Sequence, residues 1–259
     1  MLLAIDVGNT NISFGVYKDN NYLCDYRINT HPVRTADEYA ALLSVLFKSK
    51  DVFFRDIDGI IICNVVPITN DALLRLSSKH FNIDNPIMLN ANVDLGFDIK
   101  YTPKTAVGAD RLANAVAAHE IYKQTTIVVD FGTATTFDVI ANNGDYLGGA
   151  IVPGIQISLD ALFAKASKLT EIELKKPEKA VGTNTEEALL SGVIYGYAGQ
   201  LDAIVKKIIK ELDEKEKPLV VATGGQSYII SEHSETINLV CDNLTLDGLN
   251  IIYQRLKDA

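Results

Sequence analysis

Two short segments of the chain combine a carboxylate, a glycine and small polar side chains: Asp6-Val7-Gly8-Asn9-Thr10-Asn11 and Asp130-Phe131-Gly132-Thr133. In each, an apolar run leads into the aspartate, so the carboxylate falls at the end of a strand with a turn behind it. Gly8 lets backbone approach a phosphate with no Cβ in the way. Asn9, Thr10 and Asn11 add small donors beside the N–H groups of the turn. Hard cations take oxygen ligands and keep part of their water, so Asp6 is a candidate for holding Mg²⁺ through water. One such segment alone reads equally well as a tight turn. Two of them, facing each other, would enclose a polyphosphate and its cations. A third segment, Ala222-Thr223-Gly224-Gly225, sets a glycine pair directly after an apolar run, which fits either a strand-end turn or backbone lying close to a ligand. The chain has no GxxxxGK[ST] loop and no GxGxxG after a strand, which excludes the P-loop and Rossmann modes of nucleotide binding.

The elements that must position these residues can be read from periodicity and turn chemistry. Residues 2–6 form a short buried strand, 11–18 a second and 22–28 a third, with Lys18-Asp19-Asn20-Asn21 as the hairpin turn. Residues 35–50 read as a helix opened by a capping box, Thr35 with Glu38. Residues 59–66 (GIIICNVV) are a continuous apolar run, as expected of a central strand covered on both faces. The same order then recurs: strands at 126–130, 134–140 and 145–152, with a turn at Asn142-Asn143-Gly144, and a later buried strand at 218–223. The two meanders superpose without gaps at an offset of 124, bringing Asp6 onto Asp130, Gly8 onto Gly132, Tyr22 onto Tyr146 and Leu23 onto Leu147. Chance likeness of two amphipathic hairpins is the alternative; the shared Asp-x-Gly start and coincident turns favour an internal duplication. The halves are placed at residues 1–117 and 118–259.

Between the meanders, residues 82–105 are rich in Asn, Asp and Pro and read as irregular. Residues 109–124 are expected to be a helix, and so are residues 185–215, with Asn184 as N-cap and Glu187 completing a capping box. Gly192, Gly196 and Gly199 lower the propensity of the second by about 1 kcal/mol each; glycines at this spacing point to close packing, a second subunit being one source. At the start of the first helix, Asp110 sits near the partial positive charge of the N-terminus, which favours its ionised form. It can serve as a helix N-cap or as a base. Arg111 suits bidentate recognition of a carboxylate; the alternative is a surface arginine or one paired with an aspartate. Tyr101 can be a loop aromatic packed on the core, and Thr185 a residue of the helix cap. The charge run at 171–179 (EIELKKPEK) reads as solvated surface.

Composition bounds the rest. With 259 residues, 47% hydrophobic and 22% charged, the chain can form two modest domains. A net charge of −9 argues against nucleic-acid binding, which needs a basic face. Three cysteines (Cys24, Cys63, Cys241) without a CxxC pair, and four scattered histidines (His31, His80, His119, His233), point to reduced thiols and away from a zinc site. The N-terminal apolar run is too short for a signal peptide or a membrane span, so a cytoplasmic location is expected.

The segments DVGNTNIS (residues 6–13), GADR (108–111), DFGTATT (130–136), GGAIVPG (148–154) and GTNT (182–185) stand in the order seen in type III pantothenate kinases. The chain resembles that family, within the actin-like ATPase (acetate-sugar kinase) superfamily, over nearly its whole length. DVGNTN alone would indicate only the superfamily; GADR followed by DFGTATT and GGAIVPG is specific. The resemblance implies an α/β fold of two related actin-like (ribonuclease H-like) domains, each a mixed five-stranded sheet with flanking helices, and a cleft between them. It implies ATP-dependent phosphorylation of pantothenate, the first step of coenzyme A biosynthesis, by a homodimer that needs Mg²⁺ and a monovalent cation, K⁺ or NH₄⁺. By the same resemblance Asp110 is the base and Asp130 binds the monovalent cation. Asp6, Val7, Gly8, Asn9, Thr10, Asn11, Ile12, Ser13 and Thr133 contact ATP. Tyr101, Gly108, Ala109, Asp110, Arg111 and Thr185 contact pantothenate. In actin-like ATPases a glycine pair such as Gly224-Gly225 lies against the adenosine. Another small-molecule kinase or phosphatase of this fold is one competing reading, and a non-catalytic regulator is the other. The short chain has no added sugar-binding insertion, and the presence of both Asp110 and Asp130 counts against a regulator.

Overall fold

The computed structural model describes residues 1–166, 169 and 171–257. The chain divides into two compact units, one of Met1–Ile121 with Asn243–Ala259 and one of Tyr122–Asp242. The first opens with an antiparallel meander, β1 (Leu2–Val7), β2 (Asn11–Lys18) and β3 (Asn21–Asn29). Helix α1 (Ala36–Lys48) follows, then β4 (Gly59–Asn64), which pairs parallel with β1. Helix α2 (Asn70–Phe81) leads to the short strand β5 (Ile87–Met88), and helix α3 (Ala109–Tyr122) ends this stretch. The sheet order is β3-β2-β1-β4-β5. The apolar runs explain it: β1 and β4 are buried along almost their whole length, as central strands covered on both faces must be. Their core side chains include Leu3, Ile5, Ile60 and Ile62, packed with Phe14, Tyr39, Leu43 and Phe47. The predicted capping box is present. Thr35 Oγ1 accepts from Glu38 N at 3.3 Å, and Glu38 Oε2 accepts from Thr35 N at 2.7 Å.

The second unit repeats the plan. Strands β6 (Thr126–Phe131), β7 (Ala134–Ile140) and β8 (Tyr146–Pro153) form the meander. Helices α4 (Ile155–Lys165) and α5 (Thr185–Leu212) precede β9 (Leu219–Gly224), which pairs parallel with β6. A short helix α6 (Ser227–Ser231) and strand β10 (Leu239–Val240) complete the sheet, ordered β10-β9-β6-β7-β8. From meander edge to parallel edge the two sheets have one topology, in agreement with an internal duplication. The final helix, α7 (Leu244–Lys257), returns to the first unit. Tyr17 Oη donates to Asp247 Oδ1 at 2.7 Å, and Gly248 passes so close to α3 that a Cβ there would stand 2.0 Å from the Ala113 carbonyl oxygen. This helix thus belongs to the first compact unit, with Met1–Ile121.

Strand registers sharpen the duplication. Asp6 pairs with Ser13 on β2, whereas Asp130 pairs with Thr136 on β7. A strict offset of 124 would have paired Asp130 with Phe137. The second hairpin thus lacks one residue at its turn, and the gapless alignment fails there. The residue is recovered at the next turn, because Tyr17 faces Tyr22 and Ile140 faces Tyr146. A register shift falls at Val16/Tyr17 in one meander and at Val139/Ile140 in the other, which are equivalent positions. A shared irregularity of this kind is a designed feature of a sheet and is hard to obtain by chance.

Helix α5 is long and apolar enough by length and composition to cross a membrane. Its apolar residues Leu190, Ile194, Ala198, Leu201 and Val205 instead recur at helical spacing on one buried face, as in a core helix. Asn184 caps it, with Oδ1 accepting from Glu187 N at 2.9 Å. The return bond expected of a capping box goes one residue further out: Glu187 Oε2 accepts from Thr183 N at 2.8 Å.

Candidate active site

In the first unit, Asp6 lies half-buried at the end of β1, and Asn9 and Thr10 stand exposed at the tip of the β1–β2 turn. The turn is closed by Gly8 N donating to Asn11 O at 2.9 Å. Asn11 is half-buried and Ser13 buried. Val7 and Ile12 are fully buried in the core, so anything they lend a ligand they lend through backbone. The second turn is built alike but tighter, with Gly132 N donating to Ala134 O at 3.1 Å. Asp130 is half-buried at the end of β6, between Thr136 on β7 and Thr223 on β9. Thr133 is half-buried in the turn itself.

Gly224 adopts a φ of +90°, which L side chains rarely adopt, and a Cβ there would stand 2.7 Å from Asp130 Oδ1 and 2.6 Å from the Phe131 carbonyl oxygen. The absence of a side chain at Gly224 lets its backbone lie close against a carboxylate and a carbonyl oxygen. Two hard oxygen donors at one point suit a cation such as K⁺ or Mg²⁺. Among the described residues no group of three or more His, Cys, Asp or Glu could hold a metal ion. A cation here would therefore complete its shell with backbone, water or ligand oxygens.

Asp110 is the second residue of α3. It is not the N-cap: the Gly108 carbonyl accepts the first helical bond, from Leu112 N at 3.1 Å. The Asp110 carboxylate instead curls back over the helix end, Oδ1 accepting from Arg111 N at 2.8 Å. A Cβ at Gly108 would stand 2.4 Å from that oxygen, which explains a glycine two residues ahead of the aspartate. Burial pushes the Asp110 carboxyl above the usual carboxylate range; the Arg111 N–H and its guanidinium charge oppose the rise and do not cancel it. The helix end favours the ionised form, as its position implies, but desolvation outweighs it. Arg111 is 7% exposed, so it is a buried arginine at the head of α3. Tyr101 is half-buried on the segment between β5 and α3, which is anchored by buried Leu95, Ile99 and Val107. Thr185 is the exposed first residue of α5. Gly182 before it lies where a Cβ would be 2.3 Å from Ala188 N, so the GTNT segment hugs the first turn of the helix.

The motif reading passes over Thr30. This residue follows β3, is fully buried, and donates from Oγ1 to the Gly8 carbonyl at 2.6 Å. The offset of 124 could have found it, since residue 30 falls on Gly154, the last glycine of GGAIVPG. A depression of about 430 Å³ is lined by Lys123, Gln124, Thr125, Asn142 and residues 214–217. It lies at the start of β6, the opposite end of that strand from Asp130, and holds none of the residues above.

Paired five-stranded mixed sheets of one topology, each with an aspartate at the first hairpin, define the actin-like ATPase and sugar-kinase fold. Solved structures that share it include these three. One is a conserved protein from Campylobacter jejuni described as a candidate Baf family transcriptional activator, 22% identical, covering 99% of this chain and 100% of that one with a TM-score of 0.60. Another is the ethanolamine utilization protein EutJ from Carboxydothermus hydrogenoformans, at 15% identity, 96% and 89% coverage and a TM-score of 0.53. The third is a ROK hexokinase from Thermus thermophilus, at 14% identity, 100% and 99% coverage and a TM-score of 0.52. At these identities they establish the fold alone. The family model for type III pantothenate kinase matches residues 2–207, and the chain belongs to that family. It is accordingly a kinase, with ATP as the phosphoryl donor.

Proposed function

We propose that this protein transfers the γ-phosphoryl group of ATP to the hydroxyl of pantothenate, giving 4′-phosphopantothenate and ADP. The observation that carries this reading is the Asp110 carboxylate, held over the head of α3 by Arg111 N and raised in pKa by burial, in a chain of this family. Phosphoryl transfer asks a protein mainly for alignment and charge stabilisation. The pantothenate oxygen forms the new P–O bond, the bond from γ-phosphorus to the bridging oxygen breaks, and the hydroxyl proton passes to Asp110. A carboxylate with a raised pKa takes that proton more readily than an ordinary one. Arg111 supplies the fork that suits the substrate carboxylate, with Tyr101, Gly108, Ala109 and Thr185 lining the acceptor.

The turn from Asp6 to Ser13 and Thr133 hold the ATP phosphates, through backbone N–H groups and the small side chains of Asn9, Thr10 and Asn11. Asp6 would hold Mg²⁺ through water, and Asp130 with the Phe131 carbonyl would hold K⁺ or NH₄⁺; these ions supply neutralising charge to the phosphates. The uncovered glycines of α5 support a homodimer, since among the described residues nothing beyond chain neighbours and adjacent helix backbone lies within 4 Å of a Cβ built at Gly192, Gly196 or Gly199. A cytoplasmic location fits a coenzyme A precursor pathway. Mass spectrometry of the product tests the reading. A gain of one phosphate on pantothenate, dependent on ATP and accelerated by K⁺, is expected. Hydrolysis of ATP with pantothenate unchanged would reject it.

A further inference from the structure

Thr30 touches the first Asp-Gly turn at two points. Its Oγ1 donates to the Gly8 carbonyl at 2.6 Å, and its N–H donates to the Thr10 carbonyl at 2.9 Å. The Thr30 side chain is fully buried, while Gly8 on the accepting side is half-buried. A trans peptide sets its C=O and N–H on opposite sides. Drawing the Gly8 carbonyl onto Thr30 therefore turns the Asn9 N–H the other way. The equivalent position in the second unit makes the same backbone contact by other means. Gly154 N donates to the Thr133 carbonyl at 3.1 Å, and a Cβ at Gly154 would stand 2.4 Å from Thr133 O and 2.5 Å from Gly132 O. The shorter second turn closes directly on a glycine backbone. The first turn, one residue longer, leaves room that the threonine hydroxyl fills.

We infer that Thr30 is a positioning residue for phosphate binding: its hydroxyl fixes the Gly8–Asn9 peptide so that the Asn9 N–H faces the ATP phosphates. The inference rests on the reading of residues 6–13 as the ATP-contacting turn. Losing one such hydrogen bond, worth about 0.5–1.5 kcal/mol, corresponds to a change of roughly 3–10-fold in affinity.

The test compares Thr30→Val, which keeps shape and removes the hydroxyl, with Thr30→Ser, which restores it. Thr30→Val is expected to raise the KM for ATP about 3–10-fold with the KM for pantothenate unchanged. Thr30→Ser is expected to stay near wild type. An unchanged ATP KM in Thr30→Val overturns the inference. So does an equal loss for both substrates, or a loss that serine fails to rescue, since either marks a merely structural role. Gly8→Val, assayed alongside, separates the two levels. If it weakens ATP binding and Thr30→Val does not, the Thr30 inference alone fails. If neither changes ATP binding, the turn is not the phosphate site.

Discussion

Asp110 sits where two local effects compete, and their balance sets its chemistry. The N-terminus of α3 offers an N–H and a positive field, while burial removes the water that would solvate the charge. Burial is the larger effect, so the folded-state pKa is raised above its unfolded value of about 3.9. The sign of the linkage follows. Below the unfolded pKa the group is protonated in both states and costs nothing; as pH rises through the folded pKa, ionising it in the fold becomes a cost. Above the unfolded pKa the raised pKa of Asp110 therefore costs stability. Asp110→Asn is expected to raise Tm at pH 7 relative to wild type, with the difference vanishing near pH 3, as followed by calorimetry. The same substitution is expected to lower kcat by about 10²–10⁴-fold, the usual contribution of a general base, while ATP binding persists. In the wild type, kcat/KM is expected to fall on the acid side with an apparent pKa above the ordinary aspartate value. A variant that loses both stability and ATP affinity would show that Asp110 is a structural cap.

At the scale of elements, the strands and the first helix were legible because their signals are local. Residues 11–18 and 134–140 form strands with the expected bounds, and Thr35 and Glu38 bond reciprocally as their spacing implies. Helices α2, α4 and α7 were not read from pattern. In α7, Gly248 interrupts the run for a reason that is invisible locally: the helix meets the Ala113 carbonyl, 135 residues earlier in the chain. The turn lengths were not legible either, since a single-residue gap between two duplicated hairpins leaves the motif letters aligned and alters only pairing. Of the site, the aspartates and glycines were readable as residue types. The convergence of Asp130 and the Phe131 carbonyl on Gly224, and the bracing by Thr30, needed the registers. The capping of α5 gives a test at this scale. Asn184→Ala is expected to cost about 1 kcal/mol in chemical denaturation and to disturb the neighbouring Thr183–Glu187 bonds. Stability unchanged to within a few tenths would show that Glu187 alone carries the cap.

For the whole molecule, the two sheets share one topology, and each carries an aspartate at the end of its first strand, Asp6 and Asp130. Assembly is tested on α5. Among the described residues, nothing beyond its chain neighbours and the adjacent turns of helix backbone lies within 4 Å of a Cβ at Gly196, and arginine has better helix propensity than glycine. Gly196→Arg is expected to leave Tm of the isolated chain unharmed and to shift the protein from dimer to monomer in light scattering; a dimer that persists would place the interface elsewhere. The central claim, transfer of phosphoryl from ATP to pantothenate, is tested most directly by ADP release from purified protein supplied with ATP, Mg²⁺ and K⁺. The assay runs against pantothenate, a panel of sugars and a panel of hydroxy acids. Turnover with pantothenate alone, reduced when K⁺ is replaced by Na⁺, is the expected result. Turnover with a sugar or hydroxy acid but none with pantothenate would contradict it.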